Sequence, residues 1–281
     1  MDAGIAIQAV NLGKRFPRRG WEPHLGMHRV AEQVLRAPFE LVRRRFGASP
    51  RATTTANPYF WALHEVSFEI PRGQIVGLVG PNGAGKSVLL KLLARVTQPS
   101  AGFAQVRGRL ASILEGGAPF HPELTGRENL HLSGVLFRMY RDEVEQKIER
   151  IVAFSEIAPF IDTPLKHYSS GMVIRLALAM AVHLDRDLLL LDESMASGDE
   201  AFRKKCLHTL RSLAGEGRTV IFVSHDPTLL SQICQRCLFL EGGRLIDDGP
   251  TAEILSQYAH RTRPAPRGVP TFSQEPRLLH R

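Results

Sequence analysis

Residues 74–96 read QIVGLVGPNGAGKSVLLKLLARV. The opening QIVGLVG is short and apolar, the composition of a strand buried on both faces. The closing GAGKSVLLKLLARV has its leucines at helical spacing. Between them GPNGAGKS, Gly80 to Ser87, fits G-x-x-x-x-G-K-[ST] at every fixed position. A strand before and a helix after are the context in which that pattern cradles phosphate. Gly80, Gly83 and Gly85 permit turns that aim backbone N–H groups inward, and the helix N-terminus adds its positive end. Pro81, Asn82 and Ala84 complete the loop. Lys86 is expected to reach the β- and γ-phosphates, and the Ser87 hydroxyl to ligate Mg²⁺.

A second stretch answers the first. Four consecutive leucines, Leu188 to Leu191, run into Asp192 and Glu193. A fully buried parallel strand delivers the residues at its end to the carboxyl edge of its sheet, where ligands of such sheets bind. Asp192 is expected to hold Mg²⁺ directly or through water, and Glu193 to orient or deprotonate the attacking water. His225 follows another apolar run, TVIFVSH, and is expected to touch the γ-phosphate or hold that water.

Working outward, IAIQAV (Ile5 to Val10) and WALHEVSFEI (Trp61 to Ile70) alternate as strands. FAQVRGRLASIL reads as further strands with a turn at Gly108. Residues 125–155 and SSGMVIRLALAMAVHL are helical in pattern, as is AFRKKCLHTLRSLAG. CLFLEGGRLIDDG is a hairpin around Gly242 and Gly243, and TAEILSQYA a short helix. Strands alternating with helices predict an α/β fold with a mostly parallel core sheet. A length of 281 residues with 43% hydrophobic and 23% charged side chains fits one such domain, about 1–259. The residues from His260 onward, rich in Pro and Arg, read as a disordered basic tail.

Residues of about 20–57 stand as an insertion between strands. Val30, Val34, Leu35, Phe39, Leu41, Val42 and Phe46 fall on one half of a helical wheel, with Pro38 dividing it. The net charge of +8 is concentrated at the edges of the chain. Lys14 to Arg51 carries ten basic residues against three acidic ones, and the tail from Ala259 five arginines against Glu275. Such appendages suit an anionic surface. No run is apolar enough to span a membrane, and MDAGIAIQAV lacks the pattern of a secretory signal. Three cysteines, Cys206, Cys234 and Cys237, are too few for a disulfide framework and fit a reducing compartment.

Together GPNGAGKS, LLLLDE and His225 resemble the ATP-binding cassette (ABC) ATPases, whose likeness runs from about Ile5 to Ala259. The resemblance implies a P-loop fold with a mostly parallel core sheet, an antiparallel β subdomain and a helical subdomain at about 120–185. YSSGM stands at the family's signature position and SGDE at its D-loop. Ser169, Ser170 and Gly171 would then cap the γ-phosphate held by a second cassette, with Asp199 as the D-loop aspartate. Glu115 stands where a glutamine normally links the metal to the transport partner. For the adenine-stacking aromatic, Phe16 fits best and Trp61 is the rival. FWALHEVSFEI, FHPELTGREN, YSSGMVIRLA and GDEAFRKKC are similar to cassettes that export cell-surface polysaccharides such as O-antigen, capsule or teichoic acid. That subgroup implies ATP and Mg²⁺, a homodimer of cassettes, an integral-membrane permease and a lipid-linked glycan as partners. It also implies the cytoplasmic face of the bacterial inner membrane, with the insertion near the membrane surface. The alternatives are export of another lipid or small molecule, or a non-transport ABC ATPase. Nucleic acid is not an expected partner, nor is a large C-terminal carbohydrate-binding domain in the few residues after Ala259.

Overall fold

The computed structural model describes residues 4–18, 59–113, 120–192 and 199–262. The expected insertion, Glu115, Glu193 and all but the first three residues of the expected tail lie outside them. In chain order the strands are β1 (Ile5–Pro17), β2 (Tyr59–Pro71), β3 (Ile75–Val79), β4 (Ala101–Val106), β5 (Leu110–Ile113), β6 (Leu188–Leu191), β7 (Thr219–Val223), β8 (Arg236–Glu241) and β9 (Arg244–Pro250). The helices are α1 (Lys86–Leu93), α2 (Gly126–Leu136), α3 (Arg141–Ser155), α4 (Ser170–His183), α5 (Glu200–Gly215), α6 (Pro227–Ile233) and α7 (Thr251–Thr262).

The larger sheet has the order β5-β6-β7-β3-β8-β9. Its first five strands pair in parallel and only β9 is antiparallel. The leucine run shows why this sheet is buried throughout. Leu189 and Leu191 enter one core, with Val220, Phe222 and the helices α2 to α5. Leu188 and Leu190 enter the other, with Val76, Leu78 and helix α1. Period-two alternation therefore serves two apolar layers, which is why these strands read as unbroken hydrophobic runs. The second sheet, β2-β1-β4, is antiparallel and closes the α1 side.

The fold matches the α/β expectation, with differences that position the site. Strand β1 runs seven residues beyond Val10, to Pro17. Asn11 breaks the alternation at φ 47°, and the pairing shifts around it, so the continuation is not legible as a periodic strand. The strands on either side of Gly108 are not a hairpin: β4 joins the antiparallel sheet and β5 the parallel one. Helix α6 has no counterpart in the periodic reading of the chain. Asp226 caps it, accepting from Thr228 N at 2.8 Å and Leu229 N at 3.3 Å. Helix α7 continues past the expected limit at Ala259 to Thr262, because Arg261 Nη1 reaches Glu241 Oε2 at 2.6 Å and ties the last turn to β8.

Helices α2, α3 and α4 form a layer between β5 and β6 in the chain. Thr125 and Glu128 start it with reciprocal caps: Thr125 Oγ1 accepts from Glu128 N at 3.2 Å, and Glu128 Oε2 accepts from Thr125 N at 2.8 Å. Asn129, fully buried, donates to the carbonyls of His121, Leu124 and Thr125 and so fastens the preceding loop.

Candidate functional site

The loop after β3 is held by its surroundings. Gly80 has φ 153°, and a Cβ there would stand 2.1 Å from the Leu240 carbonyl oxygen of β8. Gly85, at φ 103°, is the N-cap of α1, and its Cβ would stand 2.6 Å from the Ala62 oxygen of β2. At these two positions the loop passes so close to the backbones of β8 and β2 that no side chain fits, while Ala84 N closes a turn on Pro81 O at 3.1 Å. Lys86 is buried at 8% exposure, and its Nζ donates to Gly80 O at 2.7 Å and Pro81 O at 3.1 Å.

In front of this loop opens a cavity of about 860 Å³. Asn82 to Ser87 line it, together with Asp192 and His225. Asp192 is 5% exposed and follows β6, its N–H donating to Ile113 O at 3.1 Å. His225 stands two residues beyond β7. The adjacent turn is set by Ser224, whose Oγ accepts from Asp226 N at 3.1 Å. Both residues therefore sit at the carboxyl edge of neighbouring parallel strands, the position the leucine run predicts.

The cavity wall also carries three aromatic rings, Phe16, Phe60 and Trp61. Phe16 and Phe60 are cross-strand partners with ring centroids 5.9 Å apart. Lys14 Nζ lies 5.4 Å from the Phe16 ring and is anchored by Thr97 Oγ1 at 2.8 Å and Gln98 O at 2.7 Å. Trp61 meets His64 edge-on at 4.9 Å, and its ring covers Gly13, where a Cβ would lie 2.9 Å from it.

Gly80 and Pro81 do not line the cavity; their carbonyls instead hold Lys86. Ser169, Ser170, Gly171 and Asp199 are not in its wall either. Ser169 Oγ accepts from Met172 N at 3.2 Å and caps α4, leaving Ser169 and Ser170 exposed. Asp199 caps α5, its Oδ1 accepting from Phe202 N at 2.9 Å. That bond, then the Arg175 guanidinium, holds its carboxyl below the usual range. Glu115 and Glu193 lie outside the described residues.

Among the lining residues that sequence reasoning missed are Phe60, Gly242 and Gly243. The aromatic run Tyr59-Phe60-Trp61 at the head of β2 was the available signal for the first. Gly242 and Gly243 read only as a hairpin turn. In the fold, Gly243 N donates to Ala84 O at 3.1 Å and Gly243 O accepts from His64 N at 2.8 Å, so the turn braces the phosphate loop.

Residues 63–196 match the family model described as ABC transporter. The O-antigen export system ATP-binding protein RfbB of Klebsiella pneumoniae is 44% identical over 199 residues, 71% of this chain and 81% of that protein. The teichoic acids export ATP-binding protein TagH of Bacillus anthracis is 38% identical over 200 residues, 71% of this chain and 36% of that protein. Among solved structures, the ATP binding subunit of an ABC transporter aligns with TM-score 0.67 at 19% identity, over 92% of this chain and 95% of that one. The dimeric post-hydrolysis state of the cassette MJ0796 with ADP and Pi aligns with TM-score 0.67 at 18% identity, over 87% and 98%. With the phosphate loop, the acidic strand end and these likenesses in agreement, the chain belongs to the ABC transporter family as one of its ATP-binding cassette ATPases.

Proposed function

We propose that this chain is the ATP-hydrolysing subunit of an exporter that moves a cell-surface polysaccharide, carried as a lipid-linked glycan, across the cytoplasmic membrane. The observation that carries the ATPase part is the meeting of Lys86, Ser87, Asp192 and His225 on one cavity that Phe16, Phe60 and Trp61 also line. A nucleoside triphosphate suits this lining, with its base toward Phe16 and its phosphates in the loop. The export part rests on the RfbB likeness, which covers most of that protein's length.

The chain's own groups then divide the chemistry. The loop N–H groups and Lys86 bind the β- and γ-phosphates, Lys86 exchanging its two carbonyl partners for phosphate oxygens. Ser87 and Asp192 present hard oxygen ligands in the same wall and would hold Mg²⁺. When bound, Mg²⁺ neutralises charge on the β- and γ-phosphate oxygens. Glu193 orients or deprotonates the attacking water, and His225 contacts the γ-phosphate or holds that water. Glu115 contributes to the metal environment and to the link with the permease.

Ser169, Ser170 and Gly171 stand outside the cavity at a helix N-terminus, so their donors serve a second copy's phosphate. A head-to-tail homodimer closing on ATP follows. Among the described residues no helix is long and apolar enough to cross a membrane. The likeness to an export-system ATP-binding protein supports a separate permease as the passage. The last turn of α2 and the N-cap of α3 present Val135, Leu136 and Tyr140 to solvent at 71, 56 and 80% exposure, an apolar surface suited to that partner. The complex would sit on the cytoplasmic face of the inner membrane, with the basic segment of about 20–57 toward anionic headgroups.

Purified protein tests the first part. Wild type hydrolyses ATP with Mg²⁺, Lys86→Met does not bind it, and Glu193→Gln binds it and dimerises without turnover. A Glu193→Gln variant that stays monomeric with ATP bound would refute the paired site. For cargo, wild type but not Glu193→Gln should bring a lipid-linked glycan to the cell surface when produced with its permease.

A further inference from the structure

Two surfaces of the ATPase must act together, and the Arg175 side chain bonds across them. Arg175 lies in α4, six residues after the Ser169 cap and so about 9 Å along the helix from it. Its Nη1 donates to Glu156 Oε2 at 2.9 Å, and its Nη2 donates to Asp199 Oδ2. The guanidinium packs over the Phe202 ring, 4.6 Å from its centroid. Glu156 ends α3 in the left-handed conformation at φ 59°. Its other oxygen, Oε1, accepts from Lys205 Nζ of α5 at 2.9 Å. Lys205 also donates to Phe154 O at 3.0 Å.

Three helices therefore converge on one cluster, but its members play different parts. Glu156 and Lys205 tie α3 to α5, a link any stable helix layer can use. Within this cluster Arg175 connects the helix that carries Ser169 to Gly171 with Asp199, the cap of α5 seven residues beyond Asp192. With side-chain exposure of 20%, its charge is less screened than that of a surface pair. The planar fork explains the residue type: one guanidinium meets two carboxylates in fixed directions, which an ammonium does not reproduce.

We propose that Arg175 is a positioning residue that fixes the angle of α4 against Asp199, aligning Ser169 to Gly171 with the strand end that bears Asp192. It touches neither nucleotide nor water. It makes catalysis depend on the orientation of the helical layer while leaving ATP binding in the chain's own cavity unaffected. This inference rests on the proposed paired ATPase, so the test must separate failure of the one from failure of the other.

Steady-state ATPase assays on the full chain compare wild type, Arg175→Lys, Asp199→Asn and the double variant. Asparagine still caps α5, so Asp199→Asn removes the charge and leaves the helix start. Each single variant should lower kcat about tenfold with KM for ATP changed less than about twofold, and the double variant should fall no further than the worse single one. Lys205→Ala removes the α3–α5 tie and serves as the packing control. It should lower the melting temperature yet keep kcat within about twofold of wild type. Additive losses in the double variant would overturn the proposal, as would wild-type kcat in Arg175→Lys or a Lys205→Ala loss equal to it. Absence of turnover in wild type would instead refute the ATPase reading itself.

Discussion

Replacing Gly243 by alanine should damage the phosphate loop although Gly243 lies outside it, and the same change at Gly242 should not. Both glycines have positive φ, 55° at Gly242 and 78° at Gly243. An alanine in that region costs about 1–2 kcal/mol at either position. The surroundings then separate them. A Cβ at Gly242 meets nothing within 4 Å, whereas one at Gly243 stands 2.8 Å from Ala62 O and 3.1 Å from Ala62 C. Those are backbone atoms of β2 and cannot turn aside, so the hairpin must move away. Moving it lengthens the bonds from His64 N to Gly243 O and from Gly243 N to Ala84 O. At about 0.5–1.5 kcal/mol each, their loss adds roughly 1–3 kcal/mol. Urea denaturation should therefore show Gly242→Ala less stable by about 1–2 kcal/mol and Gly243→Ala by about 2–5 kcal/mol. Because Ala84 O anchors the loop, about half of that extra cost should appear in nucleotide binding. A fluorescent ATP analogue should then bind Gly243→Ala roughly 2- to 10-fold more weakly, and Gly242→Ala nearly as wild type. Equal stability and equal affinity in the two variants would refute the reasoning.

Phe16→Ala should weaken ATP binding by about 1–3 kcal/mol in a titration, the worth of one base stacked on an aromatic ring. Trp61→Ala should leave affinity within about twofold, because the Trp61 ring is engaged with His64 and Gly13; the opposite order would give the base to Trp61. Leu190→Ala removes a fully buried side chain from the α1-side core and should cost about 3–5 kcal/mol in chemical denaturation. His183 gives a pH signature. Burial holds its imidazole below the ordinary 6.5, with Nδ1 bonded to Ala179 O at 2.7 Å. Below 6.5 the unfolded chain therefore binds more protons than the native one, so stability is complete above that pH and falls as pH drops through the folded value. Melting curves of wild type should show this slope, and His183→Gln should flatten it.

Much of the site is legible in the chain because its chemistry is local. Gly80 to Ser87 form a contiguous loop, and the turn, the donors and the helix start are all set within eight residues. Asp192 and His225 can be placed at a sheet edge because the runs before them are too apolar to be anything but buried strands. The aromatic lining is harder to read. Family likeness points to Phe16, but the strand that carries it is broken at Asn11, and only pairing with β2 and β4 holds it in line. Phe60 joins it because the register sets it opposite, a fact of pairing that no single segment contains.

The chain by itself determined the α/β class, the phosphate loop and the acidic strand end, since each follows from periodicity or from residues adjacent in sequence. Tertiary structure alone decided which sheet receives each strand around Gly108, that Gly243 braces Ala84, and that Arg175 spans Glu156 and Asp199. Those features depend on backbones and charges brought together across tens to more than a hundred residues. Hydrophobic pattern does not encode such partners, because burial is nearly blind to which neighbour provides it, whereas steric contact and hydrogen bonding are not.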